Sequence, residues 1–139
     1  TTMLTHHILK NGELNVEMGG NIGDSFAKQI AKNNSDHYVL ELSSFQLDGI
    51  INFKPHIAVI TNITPDHLDR YDYKFENYIA SKFRIAMNQT KDDYLIYDAD
   101  DEVIVAYLKE NQIQSKLLPF SLTKKFKYIV HTKSLFPDL

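Results

Sequence analysis

The stretch Val39–Leu47 reads Val-Leu-Glu-Leu-Ser-Ser-Phe-Gln-Leu, so that one acidic residue and several small polar ones follow a short apolar run. Strands of a parallel sheet covered on both faces are such runs, and open α/β sheets bind ligands at the carboxyl ends of their strands. Glu41 is costly to bury there unless a partner balances its charge, and a cation is the simplest partner. A glutamate that faces solvent or caps the next segment is the alternative interpretation.

Apolar runs and helix-forming segments alternate on both sides of this stretch. Strands are predicted at 14–18, 38–42, 57–61, 94–97, 116–120 and 127–131, and helices at 2–10, 24–33, 44–51, 75–88 and 101–111. This alternation predicts an α/β fold with a mostly parallel sheet flanked by helices and joined by right-handed crossovers. No internal repeat or low-complexity linker interrupts the pattern.

The composition is typical of one soluble globular unit. The 139 residues are 43% hydrophobic and include only five glycines and four prolines, which favours a folded core over disorder. No apolar run approaches the ~18 residues of a membrane span, and the first residues lack a signal-peptide pattern. With no cysteine and a net charge of −3, disulfides, thiolate metal sites and a broad nucleic-acid surface are not expected. We therefore expect a cytoplasmic protein without nucleic-acid or membrane partners.

Residues 19–23 read Gly-Gly-Asn-Ile-Gly and join a predicted strand to a predicted helix. Glycines let the backbone approach a ligand, and a helix N-terminus offers N–H groups to an anion. The pattern is neither a dinucleotide fingerprint nor a Walker loop, and an ordinary strand-to-helix turn is the simpler interpretation. Asn21 is the side chain of this segment that can both donate and accept hydrogen bonds.

Residues 61–71 read Thr-Asn-Ile-Thr-Pro-Asp-His-Leu-Asp-Arg-Tyr and follow another predicted strand, so this loop also emerges at a carboxyl edge. Beside Glu41, the side chains of Asp66 and His67 would form a site of oxygen and nitrogen ligands, which suits Mg²⁺ or Mn²⁺ better than zinc. In the alternative, Asp66 caps a turn and His67 is simply exposed.

The predicted helix 75–88 carries a lysine in its apolar stripe. At ~100° per residue the stripe contains Phe75, Tyr78, Ile79, Phe83, Ile85 and Ala86, with Glu76, Asn77, Ser81 and Arg84 on the opposite face. Lys82 falls near the centre of the stripe. A buried ammonium group must be paired, extend to solvent, or lose its proton and react with a small electrophile such as CO₂. Periodicity leaves all three outcomes open.

Taken in order, residues 19–23, 41–47, 62–71 and 78–85 resemble the central ATPase domain of the Mur ligases. The last of these segments reads Tyr-Ile-Ala-Ser-Lys-Phe-Arg-Ile. The sequence Glu-Leu-Ser-Ser-Phe-Gln at residues 41–46 is similar to the corresponding segment of the family members that add D-glutamate during peptidoglycan precursor synthesis. The resemblance covers about residues 1–120, and it implies a P-loop-NTPase-like α/β domain, here incomplete.

The resemblance also implies an activity and a set of site residues. Family members use ATP to convert a carboxylate into an acyl phosphate, which the amine of the incoming amino acid attacks. The implied catalytic and metal-binding residues are Glu41, His67 and Lys82, with Mg²⁺ or Mn²⁺ as the metal and Lys82 carrying a carbamate. The residues implied in binding the nucleotide-sugar peptide substrate, or in supporting the metal loop, are Asn21, Ser43, Gln46 and Asp66.

The chain departs from the family pattern at its start. The family's phosphate-binding Gly-x-x-Gly-Lys-[Ser/Thr] loop would end before Thr1, and no such segment occurs in the sequence. The N-terminal domain that holds the uridine nucleotide and the C-terminal domain that brings in D-glutamate are also expected to be missing. We therefore predict that residues 1–120 form a partial ATP-binding domain that is inactive in isolation. Residues 121–139 form an unassigned tail, for which a further strand of the same domain is one interpretation.

Two alternative functions fit the same residues. One is an amide ligase similar to folylpolyglutamate synthetase, which would use the same chemistry on another acceptor. The other is a binding module that keeps the α/β core without catalysis, and the missing phosphate loop favours it. Against the module, a non-catalytic protein has no physical reason to keep a buried lysine opposite a carboxylate.

Overall fold

The computed structural model of the chain describes residues 1–32, 35–124 and 126. The chain divides into two compact units, Thr1–Gly49 and Ile50–Leu139. Each unit combines helices with parallel strands, which confirms the predicted α/β fold class. The sequence predicted one mostly parallel sheet, whereas the described strands pair as a two-stranded sheet in the first unit and a three-stranded sheet in the second. The predicted strand 127–131 lies outside the described residues, and the predicted boundary at residue 120 stays a prediction.

The first unit is built on a two-stranded parallel sheet. Its elements are α1 (Thr2–Asn11), β1 (Val16–Gly20), α2 (Phe26–Lys32), β2 (His37–Glu41) and α3 (Ser44–Asp48). Val16 lies opposite His37 at one end of the sheet, and Gly20 lies opposite Glu41 at the other. Val16 and Leu47 are the buried apolar side chains among the described residues of this unit. Little of its stability can therefore come from an apolar core.

The apolar residues Ala27 and Ile30 of helix α2 do not form a buried face. Ala27 is exposed and Ile30 is 53% exposed, while Gln29 is buried. The Gln29 amide nitrogen donates to the backbone carbonyl of Met18 and, at 3.5 Å, to that of Asp24. The buried residue of this helix is thus Gln29 and not an apolar side chain. Its amide group satisfies the carbonyls on either side of the Gly-rich turn.

The second unit is built on a three-stranded parallel sheet in which β4 lies between β3 and β5. Its elements are β3 (Ile57–Ile60), α4 (Phe75–Phe83), β4 (Tyr94–Asp98), α5 (Glu102–Glu110) and β5 (Lys116–Phe120), with 3-10 turns at Leu68–Arg70 and Arg84–Ala86. No helix within residues 1–32, 35–124 and 126 is both long and apolar enough to cross a bilayer.

A contiguous apolar core fills the second unit. Its buried members are Ala58, Ile60, Ile63, Tyr71, Tyr78, Phe83, Ala86, Leu95 and Ile104. Leu95 on the middle strand and Ile104 on α5 are fully buried. The rings of Phe83 and Tyr107 stack with their centroids 3.8 Å apart, which joins α4 to α5. The loop after β3 and both helices are therefore anchored in one core.

Helix α4 is shorter than predicted, because the helical pattern of 75–88 becomes a 3-10 turn after Phe83. The predicted position of Ser81 on the face opposite the apolar stripe is wrong. Ser81 is buried, and its hydroxyl lies 3.2 Å from the hydroxyl of Tyr71. Tyr71 precedes the helix and covers this face, a contact that helical periodicity does not describe.

The amino ends of β3 and β4 are joined by a buried carboxylate. Asp93 accepts hydrogen bonds from the Lys54 ammonium at 2.9 and 3.1 Å, from His56 Nδ1 at 3.1 Å, and from the Thr90 backbone N–H at 2.7 Å. The Lys54 hydrogen bonds, followed by those from Thr90, hold the pKa of Asp93 well below its usual range. Asp93 is thus an ionised anchor for the two strands.

Candidate functional site

In the first unit, the turn after β1 lies directly against the end of β2. Gly20 has φ +102°, and a Cβ atom there would lie 2.3 Å from the carbonyl oxygen of Glu41. The backbone N–H of Asn21 donates to that same oxygen at 2.7 Å. Only a glycine allows this approach, which places Asn21 beside Glu41 at the carboxyl edge of the sheet.

The Glu41 carboxylate is half-buried at this edge. The Asn21 side-chain nitrogen lies 3.5 Å from Glu41 Oε1, at the outer limit of a hydrogen bond. The structure thus brings together two of the residues that the sequence singled out. A carboxylate held at a strand end with one weak amide contact retains lone pairs that a cation can use.

Ser43 and Gln46 form a reciprocal cap at the start of α3. The Gln46 backbone N–H donates to Ser43 Oγ at 3.3 Å, and the Ser43 backbone N–H donates to Gln46 Oε1 at 2.9 Å. This arrangement is a capping box, which satisfies two amide groups at the helix start. Ser43, and not Glu41, therefore caps the segment that follows β2.

In the second unit, the loop after β3 brings Asp66 and His67 into contact. Asp66 Oδ1 accepts from the His67 backbone N–H at 2.8 Å, and Asp66 Oδ2 lies 3.5 Å from His67 Nε2. His67 has φ 49° and ψ 33°, a left-handed conformation that is uncommon outside glycine. Both side chains are exposed, and Asp66 holds the local turn, as the alternative interpretation expected. Their predicted role at a metal stays a prediction.

Lys82 is half-buried and lies over an aromatic ring one helical turn away. Its Nζ atom is 5.3 Å from the ring centroid of Tyr78. Burial, followed by the negative charge of Asp66, raises the pKa of Tyr78. The charge of Asp66 and the ammonium group of Lys82 therefore both interact with Tyr78, which was predicted only as part of the apolar stripe. The i, i+4 spacing of Tyr78 and Lys82 was the signal that could have identified it.

The sequence-predicted site residues fall into two sets. The first unit carries Asn21, Glu41, Ser43 and Gln46, and the second carries Asp66, His67 and Lys82. The prediction that they share one crevice stays a prediction. Across the described part of the chain, no three His, Asp or Glu side chains form a cluster suited to a metal ion.

The donor chemistry of these residues fits a hard divalent cation. The Glu41 carboxylate and the His67 imidazole supply oxygen and nitrogen ligands of the kinds that Mg²⁺ and Mn²⁺ accept. The Lys82 ammonium has no lone pair and repels a cation, whereas a carbamate on the same nitrogen would present oxygen ligands. Lys82 therefore fits such a site only in a modified form.

A hydrogen-bond network around Asp100, which was not predicted from the sequence, follows the carboxyl end of β4. Asp100 accepts from the hydroxyls of Thr123 at 2.6 Å and of Ser121 at 2.8 and 2.9 Å, and these bonds hold its pKa well below the usual range. A cavity of about 410 Å³ adjoins it. The cavity is lined by Ala99, Asp100, Glu102, Val105, Ala106, Lys109, Glu110 and Lys124. Asp100 thus fixes the segment that leaves β5.

The sequence of the chain matches one known protein family. The family model described as the Mur ligase middle domain matches residues 1–136. The UDP-N-acetylmuramoylalanine--D-glutamate ligase of Christiangramia forsetii is 65% identical over 126 residues, which is 91% of this chain and 28% of that protein. Proteins of the same name from Cytophaga hutchinsonii and Bacteroides thetaiotaomicron are 55% and 51% identical, over 91% and 90% of this chain and 28% of each relative. The chain spans little more than a quarter of the length of these curated relatives.

Proposed function

This chain belongs to the Mur ligase family, whose middle domain it matches over residues 1–136, and we propose that it is part of an ATP-dependent ligase that joins D-glutamate to UDP-N-acetylmuramoylalanine. The observation that carries the proposal is the 65% identity to a ligase of that name over 91% of the chain. The proposal includes a cytoplasmic location and a role in peptidoglycan precursor synthesis.

In the proposed reaction, a carboxylate oxygen of the nucleotide-sugar substrate attacks the γ-phosphorus of ATP, and ADP leaves. The amine of D-glutamate then attacks the carbonyl carbon of the acyl phosphate, phosphate leaves, and the nitrogen loses a proton as the amide forms. Phosphoryl transfer of this kind is accelerated mainly by positioning and by neutralising negative charge.

Glu41 and His67 are the residues proposed to hold Mg²⁺ or Mn²⁺. When bound, such a cation would neutralise charge on the phosphate oxygens. The position of Glu41 supports this role, because Glu41 ends a strand and its carboxylate lies 3.5 Å from the side-chain nitrogen of Asn21 in the Gly-rich turn. Asp66 supports the role of His67, because both of its carboxylate oxygens contact that residue.

Asn21, Ser43 and Gln46 are proposed to contact the nucleotide-sugar substrate. Asn21 and Gln46 have exposed side chains, and Gln46 is held in place by the capping box with Ser43. Side chains that are exposed yet restrained are suited to binding, because less conformational entropy is lost when a ligand is bound.

Lys82 is proposed to act as a carbamate. The ammonium group first loses one proton. The neutral amine then attacks CO₂, a C–N bond forms as one C–O π bond of CO₂ opens, and the nitrogen releases a second proton, so that the group changes from a cation to an anion. Its half-buried position on α4 supports this role, because a side chain that is only partly covered can be reached by dissolved CO₂. The carbamate would add an oxygen ligand to the proposed metal site.

The proposed function can be tested in a chimera in which this chain replaces the matching 126-residue segment of the Christiangramia forsetii ligase. We expect phosphate release that requires ATP, Mg²⁺, UDP-N-acetylmuramoylalanine and D-glutamate together. Phosphate release with a folate acceptor and L-glutamate instead would favour the folylpolyglutamate-type alternative. A well-folded chimera with neither activity would contradict the ligase proposal.

The role of Lys82 has its own test in the same chimera. Lys82→Ala is expected to lower kcat by at least about 10³-fold, and added formate or acetate should restore part of the activity. Lys91→Ala, which removes an exposed lysine from the turn before β4, is the matched control and should remain active. A carbamate signal in ¹³C NMR spectra recorded with labelled bicarbonate, absent in Lys82→Ala, provides a readout independent of activity. An active Lys82→Ala variant without that signal difference would contradict the proposal.

A further inference from the structure

The loop that carries Asp66 and His67 has a well-defined anchor at Ile63. The Ile63 side chain is 3% exposed and belongs to the core of the second unit. Its backbone N–H lies outside any helix or strand and donates to Asp101 Oδ2 at 2.8 Å. A buried amide without a partner is costly, so this hydrogen bond fixes the point at which the loop leaves the core.

Asp101 also caps helix α5 with its other carboxylate oxygen. Asp101 Oδ1 accepts from the backbone N–H groups of Val103 at 2.9 Å and Ile104 at 3.0 Å. Helix α5 is itself fixed, because Ile104 is fully buried. The two oxygens of one carboxylate therefore join the start of a rigid helix to a loop 38 positions earlier in the chain.

Helix capping alone does not account for this arrangement. An N-cap needs one accepting oxygen, and asparagine or serine provides one as well as aspartate does. The second oxygen of Asp101 serves only the loop among the hydrogen bonds of this side chain that the structure describes. An aspartate at this position thus provides a bond that the other good N-cap residues do not.

The anchor is close enough to the site residues to control their positions. Ile63 precedes His67 by four positions, and Pro65 restricts the backbone between them. His67 adopts its left-handed conformation directly after this restricted segment. Fixing the backbone at Ile63 therefore restricts where Asp66 and His67 can lie.

We infer that Asp101 is a positioning residue that fixes the loop 61–67 and so sets the geometry in which Asp66 and His67 are presented. It acts through the Ile63 amide and not by contact with substrate. The consequence for catalysis rests on the proposed function, whereas the consequence for the loop does not.

Asp101→Asn separates the two roles of this side chain. Asparagine has the same shape and keeps one accepting oxygen for the cap, but its NH₂ group cannot accept a hydrogen bond from Ile63. In the full 139-residue chain we expect the Ile63 amide to exchange its hydrogen at least about tenfold faster, while the Val103 and Ile104 amides change little. Unchanged protection of Ile63 would overturn the inference.

Glu102→Gln is the matched control, because it removes the same charge from the first turn of the same helix at an exposed position. It should leave the Ile63 amide protected. If Asp101→Asn fails to fold, Asp101→Ser keeps a capping oxygen without placing a donor against Ile63, and the same exchange measurement then decides.

The effect on catalysis is measured in the chimera with the Christiangramia forsetii ligase. Asp101→Asn is expected to raise the Mg²⁺ concentration for half-maximal activity about tenfold, with little change in the KM for the nucleotide-sugar substrate, and Glu102→Gln to change neither. An unchanged Mg²⁺ requirement in an active chimera would overturn the positioning role while the proposed function stands. An inactive parent chimera would count against the proposed function alone, because the exchange measurement still decides the inference.

Discussion

The two units of the chain hold their candidate residues by different means. In the first unit, Glu41 and Asn21 are placed by backbone contacts around Gly20, and few apolar side chains are buried. In the second unit, the loop bearing Asp66 and His67 is anchored to a continuous apolar core. Backbone geometry therefore sets the site residues of one unit, and side-chain packing together with a bridging carboxylate sets those of the other.

The largest expected effect is the loss of core packing in the second unit. Leu95 is fully buried on the middle strand, so Leu95→Ala should lower the free energy of unfolding by about 3 kcal/mol. Urea unfolding and amide hydrogen exchange in β4 would measure the change. Ile8→Ala, at a 56% exposed position of α1, is the control and should cost less than about 0.5 kcal/mol. Equal losses of unfolding free energy in the two variants would contradict the view that core packing holds the second unit together.

A smaller effect is expected from the backbone contact in the first unit. Gly20→Ala places a Cβ atom against the Glu41 carbonyl at a left-handed φ, and should destabilise this unit by about 2 kcal/mol. Hydrogen exchange of the β1 and β2 amides would report it.

Gly23→Ala is the control for Gly20→Ala. Gly23 also has a positive φ, +71°, but an added Cβ would lie 3.6 Å from its nearest neighbour. This variant should lose about 1 kcal/mol, from conformation alone. If Gly20→Ala were no worse than Gly23→Ala, the close approach to Glu41 would not be what holds the first unit together.

Loss of the capping box of α3 should cost less than Leu95→Ala or Gly20→Ala. Ser43→Ala removes the hydroxyl that accepts from the Gln46 N–H and is expected to lose about 1 kcal/mol. Faster hydrogen exchange at the Gln46 amide would show the loss. Ser43→Thr keeps a hydroxyl and should retain most of the stability that Ser43→Ala loses. Equal exchange rates of the Gln46 amide in Ser43→Ala and Ser43→Thr would argue against a stabilising role of the cap.

The smallest effect concerns the dependence of the second unit on pH. Because the folded-state pKa of Asp93 is lowered, its ionised form stabilises the fold above its ordinary pKa of about 4, and this stabilisation is lost as pH falls through the folded pKa. Thr90→Val removes one hydrogen bond to Asp93 and raises that folded pKa. The Tm of the variant should therefore be lower than that of the unmodified chain at pH 7, by a margin that shrinks below pH 4.

Thr5→Val is the control for the pH experiment, because the Thr5 hydroxyl donates to the backbone carbonyl of Thr1 and not to a carboxylate. The Tm difference between Thr5→Val and the unmodified chain should not depend on pH between 3 and about 7. A margin for Thr90→Val that stays constant over this range would exclude a contribution from the ionisation of Asp93.

Much of the fold could be predicted because the pattern of apolar residues is local. The strand Lys116–Phe120 has the predicted bounds, and those of α5 and β4 differ from the prediction by one residue. The strand predicted at 14–18 lies instead at Val16–Gly20, because pairing with β2 continues through two glycines that have no strand preference of their own. Tertiary pairing thus overrode the local signal there.

The position of Glu41 in the candidate site could be predicted from the sequence, whereas many of the contacts in the site could not. Glu41 lies at the end of a strand as predicted, because an apolar run ending in a carboxylate is a local signal. The contact of Tyr78 with Lys82 could have been predicted from their i, i+4 spacing. The roles of Ser81 and Asp101 depend on partners in other elements, and periodicity does not describe such partners. Hydrogen bonds between separate elements are the part that single-sequence reasoning could not supply.

The capping box restricts the chemistry of any ligand that approaches the start of α3. The carbonyl oxygen of the Gln46 side chain already accepts from both the backbone N–H and the hydroxyl of Ser43, which occupies its two lone pairs. The side chain can therefore offer an incoming molecule only its NH₂ donors. A phosphate, carboxylate or carbonyl oxygen would satisfy those donors without disturbing the helix. An inhibitor with a donor group at this place would compete with the cap, and medicinal chemistry directed at Gln46 should therefore begin with acceptors.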